Sequence, residues 1–106
     1  MFNVQIKALS VNQCWQGKRY KTSLYKNYEQ ELLLKLPANI TFDKDNIKLD
    51  IIVGFSNKTS DLDNILKPFL DILQKKYNFN DKNITSIYIV KSYAQKGDEF
   101  IKFKIT

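Results

Sequence analysis

IKLDIIVGFSNKTSDLDNILKPFLDILQKKY, residues 47–77, decides how the chain folds. Its first part, IKLDIIVGF at 47–55, is rich in β-branched residues with a mostly apolar centre, which predicts a strand. SNKTS is a short polar loop. Leu66, Phe69, Leu70 and Leu73 then recur at helical spacing and predict the apolar face of a helix that ends near Tyr77. The start of that helix is unusual. Asp61 and Asp63 sit two apart, Asn64 follows, and Lys67 comes one turn later.

Working outward, FNVQIKA at 2–8 alternates as a first strand. SVNQCWQGKRYKT at 10–22 reads as a polar loop or ribbon with Gly17 near its tip. Ser23 is placed to cap a helix running through SLYKNYEQELLLKL, with Leu24, Tyr28, Leu32 and Leu36 at helical spacing and Pro37 ending it. Asp43–Asn46 is a turn and NFNDKN at 78–83 a polar loop. Residues 84–94 and 99–106 alternate as two strands around a Gly97 turn and predict a hairpin. The order is β-α-β-α-β-β. The expected fold class is α+β, with residues 1–106 as one domain and two helices packed on one face of a mixed sheet.

Composition narrows the chemistry. The 106 residues include one cysteine and no histidine. A disulfide within the chain, a paired-cysteine zinc site and imidazole catalysis are therefore excluded. Any metal must be held by oxygen, which suits magnesium or manganese. No apolar run is long enough to span a membrane, and MFNVQIKAL does not read as a signal peptide, so no membrane partner is expected. The formal charge is +6. Residues 1–28 carry Lys7, Lys18, Arg19, Lys21 and Lys26 with no acid. That asymmetry points to a polyanionic partner, nucleic acid first.

Against this basic background the acidic helix start has two readings. One carboxylate can cap the helix and the other favour its dipole. Alternatively, at a junction where regular helix has not begun, both face one side and hold a divalent ion. Asp81, in the loop beyond the far end of the helix, joins them if packing brings it back or if a second subunit supplies it. Lys67 either pairs with Asp63 or meets a phosphate. Asp71 reads as a solvated or salt-bridged helix residue, and Cys14 as a small buried apolar one. Trp15 and Tyr20, interleaved with Lys18 and Arg19, either stack on exposed bases or, for Trp15, pack at the sheet edge.

DLDNILKPFLDIL at 61–73, followed by NDKNI at 80–84, resembles the RusA family of Holliday junction resolvases. LSVNQCW at 9–15 is similar to the family's N-terminal segment, and IYIVKSYAQKGDEFIKFKIT to its ending, with a lysine before the turn. The resemblance implies a homodimer that resolves four-way DNA junctions by paired symmetric nicks, with magnesium, or manganese in its place, and no small-molecule cofactor. It implies that Asp61, Asp63 and, with a one-residue gap in the loop, Asp81 are the metal-binding catalytic aspartates, and that Lys67 is the catalytic lysine. Lys18, Arg19, Lys21, Lys58, Lys75 and Lys76 are the candidate phosphate contacts. The cytoplasm of a bacterium or phage-infected cell is the expected compartment. A relative that binds junctions but no longer cuts them is the alternative, and a small interaction protein with merely capping aspartates is another.

Overall fold

The computed structural model describes residues 1–17 and 20–106. Its elements are β1 (Phe2–Gln5), a short ribbon of β2 (Trp15–Gln16) and β3 (Tyr20–Lys21), α1 (Ser23–Lys35), β4 (Ile47–Phe55), α2 (Leu62–Tyr77), β5 (Ile84–Tyr93) and β6 (Phe100–Ile105). The main sheet has the order β1-β6-β4-β5. β4 pairs parallel with β5 and antiparallel with β6, and β6 pairs antiparallel with β1. The sheet is thus mixed, as expected.

The predicted terminal hairpin does not form. Helix α2 is the crossover that returns the chain to run β5 parallel to β4. The segment after Tyr93 then passes over the end of β4, where Ala94 N–H donates to the Phe55 carbonyl at 2.8 Å. β6 begins on the other side of β4, with Phe100 opposite Gly54. Two alternating strands joined by a short polar turn look the same in sequence whether they pair with each other or flank a third.

Side-chain alternation separates the two faces. Ile47, Leu49, Ile51 and Val53 of β4, Ile101, Phe103 and Ile105 of β6, and Val4 of β1 are buried beneath the helices. Their neighbours Lys48, Asp50, Lys102 and Lys104 are exposed on the open face. Helix α1 supplies Tyr25, Tyr28 and Leu32 to the core. Helix α2 supplies a wider stripe than predicted, adding Ile65, Pro68, Ile72 and Tyr77 to Phe69, Leu70 and Leu73, while Leu66 is only partly buried. Phe69 and Phe103 meet edge to face at 5.7 Å. Full burial of such a ring contributes about 1.5–3 kcal/mol.

Local departures have simple causes. β1 stops at Gln5, although Ile6 stays buried. The cap of α1 is Thr22 rather than Ser23, with Thr22 Oγ1 accepting from Tyr25 N–H at 3.1 Å. Helix α2 runs through Pro68, whose missing donor leaves the Asn64 carbonyl without its helical partner. On the open face the Phe100 ring covers Gly54, and an added Cβ there would overlap it. Gly54→Ala is expected to lower stability by about 1–3 kcal/mol. Thermal melts check this, and Phe100→Leu in the same chain should recover part of the loss.

Candidate functional site

The loop from Ser56 to Ser60 is held by three tethers. Ser56 Oγ donates to Glu99 Oε2 at 2.7 Å, and Gly97 N–H donates to Glu99 Oε1 at 2.8 Å. These bonds, the one from Ser56 foremost, hold the Glu99 carboxyl below its usual range. Asn57 Oδ1 accepts from the backbone N–H of Thr59 and of Ser60, both at 3.0 Å, and from the hydroxyls of both residues. Lys91 Nζ, 5.5 Å from the centroid of the Phe55 ring, donates to the Ser60 carbonyl. The backbone is therefore fixed one residue before Asp61.

Asp61 occupies the N-cap position of α2 with extended backbone angles, φ −97° and ψ 136°, yet its side chain makes no capping bond. Capping by an aspartate ordinarily contributes about 1 kcal/mol. The carboxylate instead accepts a long bond, 3.4 Å, from Asn64 Nδ2. Asp63 is exposed in the first turn and has no ion-pair partner among the described residues. Lys67 does not pair with it. Its Nζ lies 3.1 Å from Asp71 one turn further on, which places Asp71 in the ion pair expected of it. Neither carboxylate of the acidic start caps a backbone N–H of the helix or joins an ion pair among the described residues.

A cleft of about 400 Å³ opens at this point. Lys7, Ser10 and Asn12 line one side, and Asn57, Asp61 and Asn64 the other. Asp63 is not among its lining residues. Ser10 also shapes its wall, because its Oγ accepts from Asn12 N–H at 3.2 Å and starts the turn over Val11–Gln13.

Asp81 lies at the other end of α2, where its backbone N–H donates to Gln74 Oε1 at 2.9 Å. Sixteen helical residues separate it from Asp61. At 1.5 Å per residue the helix is about 24 Å long. Within one chain the three aspartates do not meet, and no cluster of three or more potential metal ligands occurs among the described residues.

The candidate phosphate contacts divide. Lys18 and Arg19 lie outside the described residues. Lys58 is exposed in the tethered loop. Lys21 and Lys75 both bind Glu29, at 3.1 and 3.0 Å, and Lys76 Nζ donates to the Leu33 carbonyl at 3.0 Å. Partial burial raises the Glu29 pKa, but the bonds from Lys75 and Lys21 outweigh it, so its carboxyl sits below its ordinary value of 4.5. A group whose folded pKa is depressed contributes fully above its unfolded value and loses that contribution as pH falls through the folded one. Glu29→Gln is therefore expected to cost roughly 0.5–1 kcal/mol at neutral pH and almost nothing in strong acid, read from urea melts across pH 2–7.

Trp15 is 43% exposed and meets Tyr25 edge-on at 5.7 Å, whereas Tyr20 is 73% exposed. Cys14 is fully buried, and burial pushes its thiol pKa up. Asn57 was not singled out in the sequence; Lys7 counted there only as one of the basic residues of 1–28, and Lys91 only as the lysine before the last turn. Asn57 was the most legible, since Asn before Lys-Thr-Ser just after a strand is a side-chain-capped turn. Lys91 is placed by its tertiary contacts to the Ser60 carbonyl and the Phe55 ring, and Lys7 lines the cleft.

The family model for endodeoxyribonuclease RusA matches residues 8–104. No curated protein matches the chain.

Proposed function

We propose, from the premise that the chain belongs to the RusA endodeoxyribonuclease family and is thus a phosphodiester hydrolase of the Holliday-junction class, that it works as a magnesium-dependent homodimer, each centre drawing on both subunits. One observation carries this reading. Asp61 and Asp63 stand uncapped and unpaired at the start of α2, while Asp81 lies a helix length away.

The outer edge of β5 supports a two-fold solution. β5 is an edge strand of ten residues with Ile87, Tyr88 and Tyr93 exposed. An open edge of that length invites pairing with another strand. Antiparallel pairing of β5 with a second copy would set one strand's start against the other's end. Tyr93 at that end is the neighbour of Phe55, which leads into the tethered loop and Asp61. Asp81 precedes the start of β5 by three residues. The partner's Asp81 would thus approach Asp61 and Asp63, giving two equivalent sites for two opposing strands of a four-way junction.

Magnesium fits this donor set, because it takes one or two carboxylates together with phosphate oxygens and waters. When bound, it lowers the pKa of a water and offsets charge on the leaving oxygen, and manganese serves in its place. Asp61, Asp63 and the partner's Asp81 are the residues that hold it. Lys67 is free to turn from Asp71 to a phosphate, since an exposed ion pair contributes about 0–1 kcal/mol. Lys7 and Lys58 flank the cleft and neutralise the strand there. Lys21, Lys75 and Lys76 must first leave internal partners, so their share of DNA binding is smaller.

Residues 1–106 act as one endonuclease domain. No helix among the described residues is long and apolar enough to cross a membrane. The cytoplasm of a bacterial or phage-infected cell, with roles in recombination and repair, is the proposed setting. A second reading, a relative that binds junctions without cutting, is favoured by the lack of a three-carboxylate cluster in the described residues of one chain. A synthetic four-way junction and a linear duplex, each with and without magnesium, decide between them. Paired opposing nicks in the junction, only with metal, are expected. Tight junction binding with no nick in magnesium or manganese establishes the second reading, and no junction binding removes both.

A further inference from the structure

Glu99 is the only charged side chain buried among the described residues, at 8% exposed. A buried carboxylate is costly unless it is paired or well hydrogen-bonded. No lysine or arginine forms an ion pair with it among the described residues. Its two oxygens accept instead from Gly97 N–H and from the Ser56 hydroxyl. The bond from Gly97 is local and closes the turn before β6. The bond from Ser56 spans 43 residues of sequence and reaches the head of the loop that leads to Asp61. From there the fixation passes along the loop in single steps. Asn57 follows Ser56, its Oδ1 accepts from the N–H groups of Thr59 and Ser60, and Asp61 comes next.

Glu99 also stands beside the other wall of the cleft. Gln5 pairs with Phe100 at the end of β1, so the next residues, Ile6 and Lys7, run on beside Glu99. The Ser56 bond does most to hold the Glu99 carboxyl below its usual range, and the charge of Lys7 adds to it. Lys7 and Asp61 line opposite sides of the cleft. One buried carboxylate therefore acts on both walls, through a hydroxyl on one side and through charge on the other. We propose that Glu99 is a positioning residue for the cut: through Ser56 it fixes where Asp61 stands relative to Lys7, and so how metal and phosphate are brought together. It touches neither of them. Supporting bonds of this kind are what hold a site to within about 0.5 Å of its working geometry. The inference rests on the nuclease reading and adds to it a residue outside the metal-binding set.

The test compares Ser56→Ala, Ser56→Thr and Glu99→Ala with the wild-type chain on a synthetic four-way junction. Ser56→Ala removes only the donor, from a half-buried residue, and leaves the Glu99 charge in place. It is expected to slow single-turnover cutting at saturating junction by about tenfold, the lower end of what loss of an outer-shell partner costs. The magnesium concentration for half-maximal rate should rise several-fold. Manganese, followed by the EPR signal of the free ion, should bind the complex of chain and junction several-fold more weakly. Junction affinity, read by gel shift, should not change. Ser56→Thr keeps a hydroxyl and should recover most of the rate, which separates the bond from general packing. Adding Ser56→Ala to Glu99→Ala should slow cutting no further, because the hydroxyl then has no partner left to lose. A lower melting temperature with wild-type cutting and metal requirement makes the bond structural and overturns the inference. Unchanged cutting by Ser56→Ala at an unchanged melting temperature overturns it as well, and in both cases the nuclease reading stands. A wild-type chain that cuts no junction in magnesium or manganese overturns both.

Discussion

Asp61→Asn and Asp63→Asn are each expected to lower the rate of junction cutting by more than about a hundredfold, because under the proposed function each removes a metal ligand, a loss larger than the 10–100-fold effect of losing an outer-shell partner. Folding should not suffer. Asp61 occupies the N-cap without making the capping bond, an asparagine there keeps an oxygen for the long bond from Asn64, and Asp63 has no ion pair among the described residues, so neither substitution removes a strong stabilising contact. A surface change of this kind normally stays within about 0.5 kcal/mol. Affinity for the junction should hold or rise, since each variant loses a negative charge close to phosphates. Single-turnover cleavage, gel-shift binding and thermal melting together check the claim. A drop in melting temperature without a drop in cutting would make the carboxylates structural.

That separation of roles was only half legible in the sequence. The strand at 47–55 and the helix from 62 announce themselves by β-branching and by apolar spacing, and the acidic start stands out in a basic chain. Capping was a sound reading of Asp61, since the residue does sit at the N-cap. What the sequence could not convey is that the side chain declines the bond. The chain there is fixed instead by Asn57, Lys91 and the Ser56–Glu99 pair, whose members come from β5, the last connection and the loop itself. The same limit explains Lys67. Asp63 and Asp71 are equally spaced on either side of it, and sequence distance alone gives no preference between them.

Strand neighbours were lost for a related reason. An alternating strand records which of its faces is buried and says nothing about what lies beside it. β5 and β6 therefore read as a hairpin, although β4 separates them. This ordering matters for the site. It leaves β5 at the edge, and it sends the connection containing Gly97 and Glu99 over the end of β4, where Glu99 holds Ser56. Had the hairpin formed, neither the open edge nor that tether would exist.

A mixing experiment should give the other large effect. One chain carries Asp61→Asn with Asp63→Asn, and the other carries Asp81→Asn. Each alone is expected to be inactive. In a mixed dimer with shared centres, one centre combines all the substitutions and is dead. The other combines intact Asp61 and Asp63 from one chain with intact Asp81 from its partner. Random pairing of equal amounts makes half the dimers mixed, so about a quarter of the wild-type number of centres should return. Because each mixed dimer has a single live centre, the product should be a junction nicked in one strand rather than cut in two. Centres built from a single chain would give no recovery, since each chain lacks part of its own set. The length of α2 already weighs against that outcome: about 24 Å of helix separates Asp81 from Asp61 in the same chain. The aspartates can converge only if the far end of another copy's helix is brought to this one, and the free edge of β5 is where an antiparallel partner would deliver it.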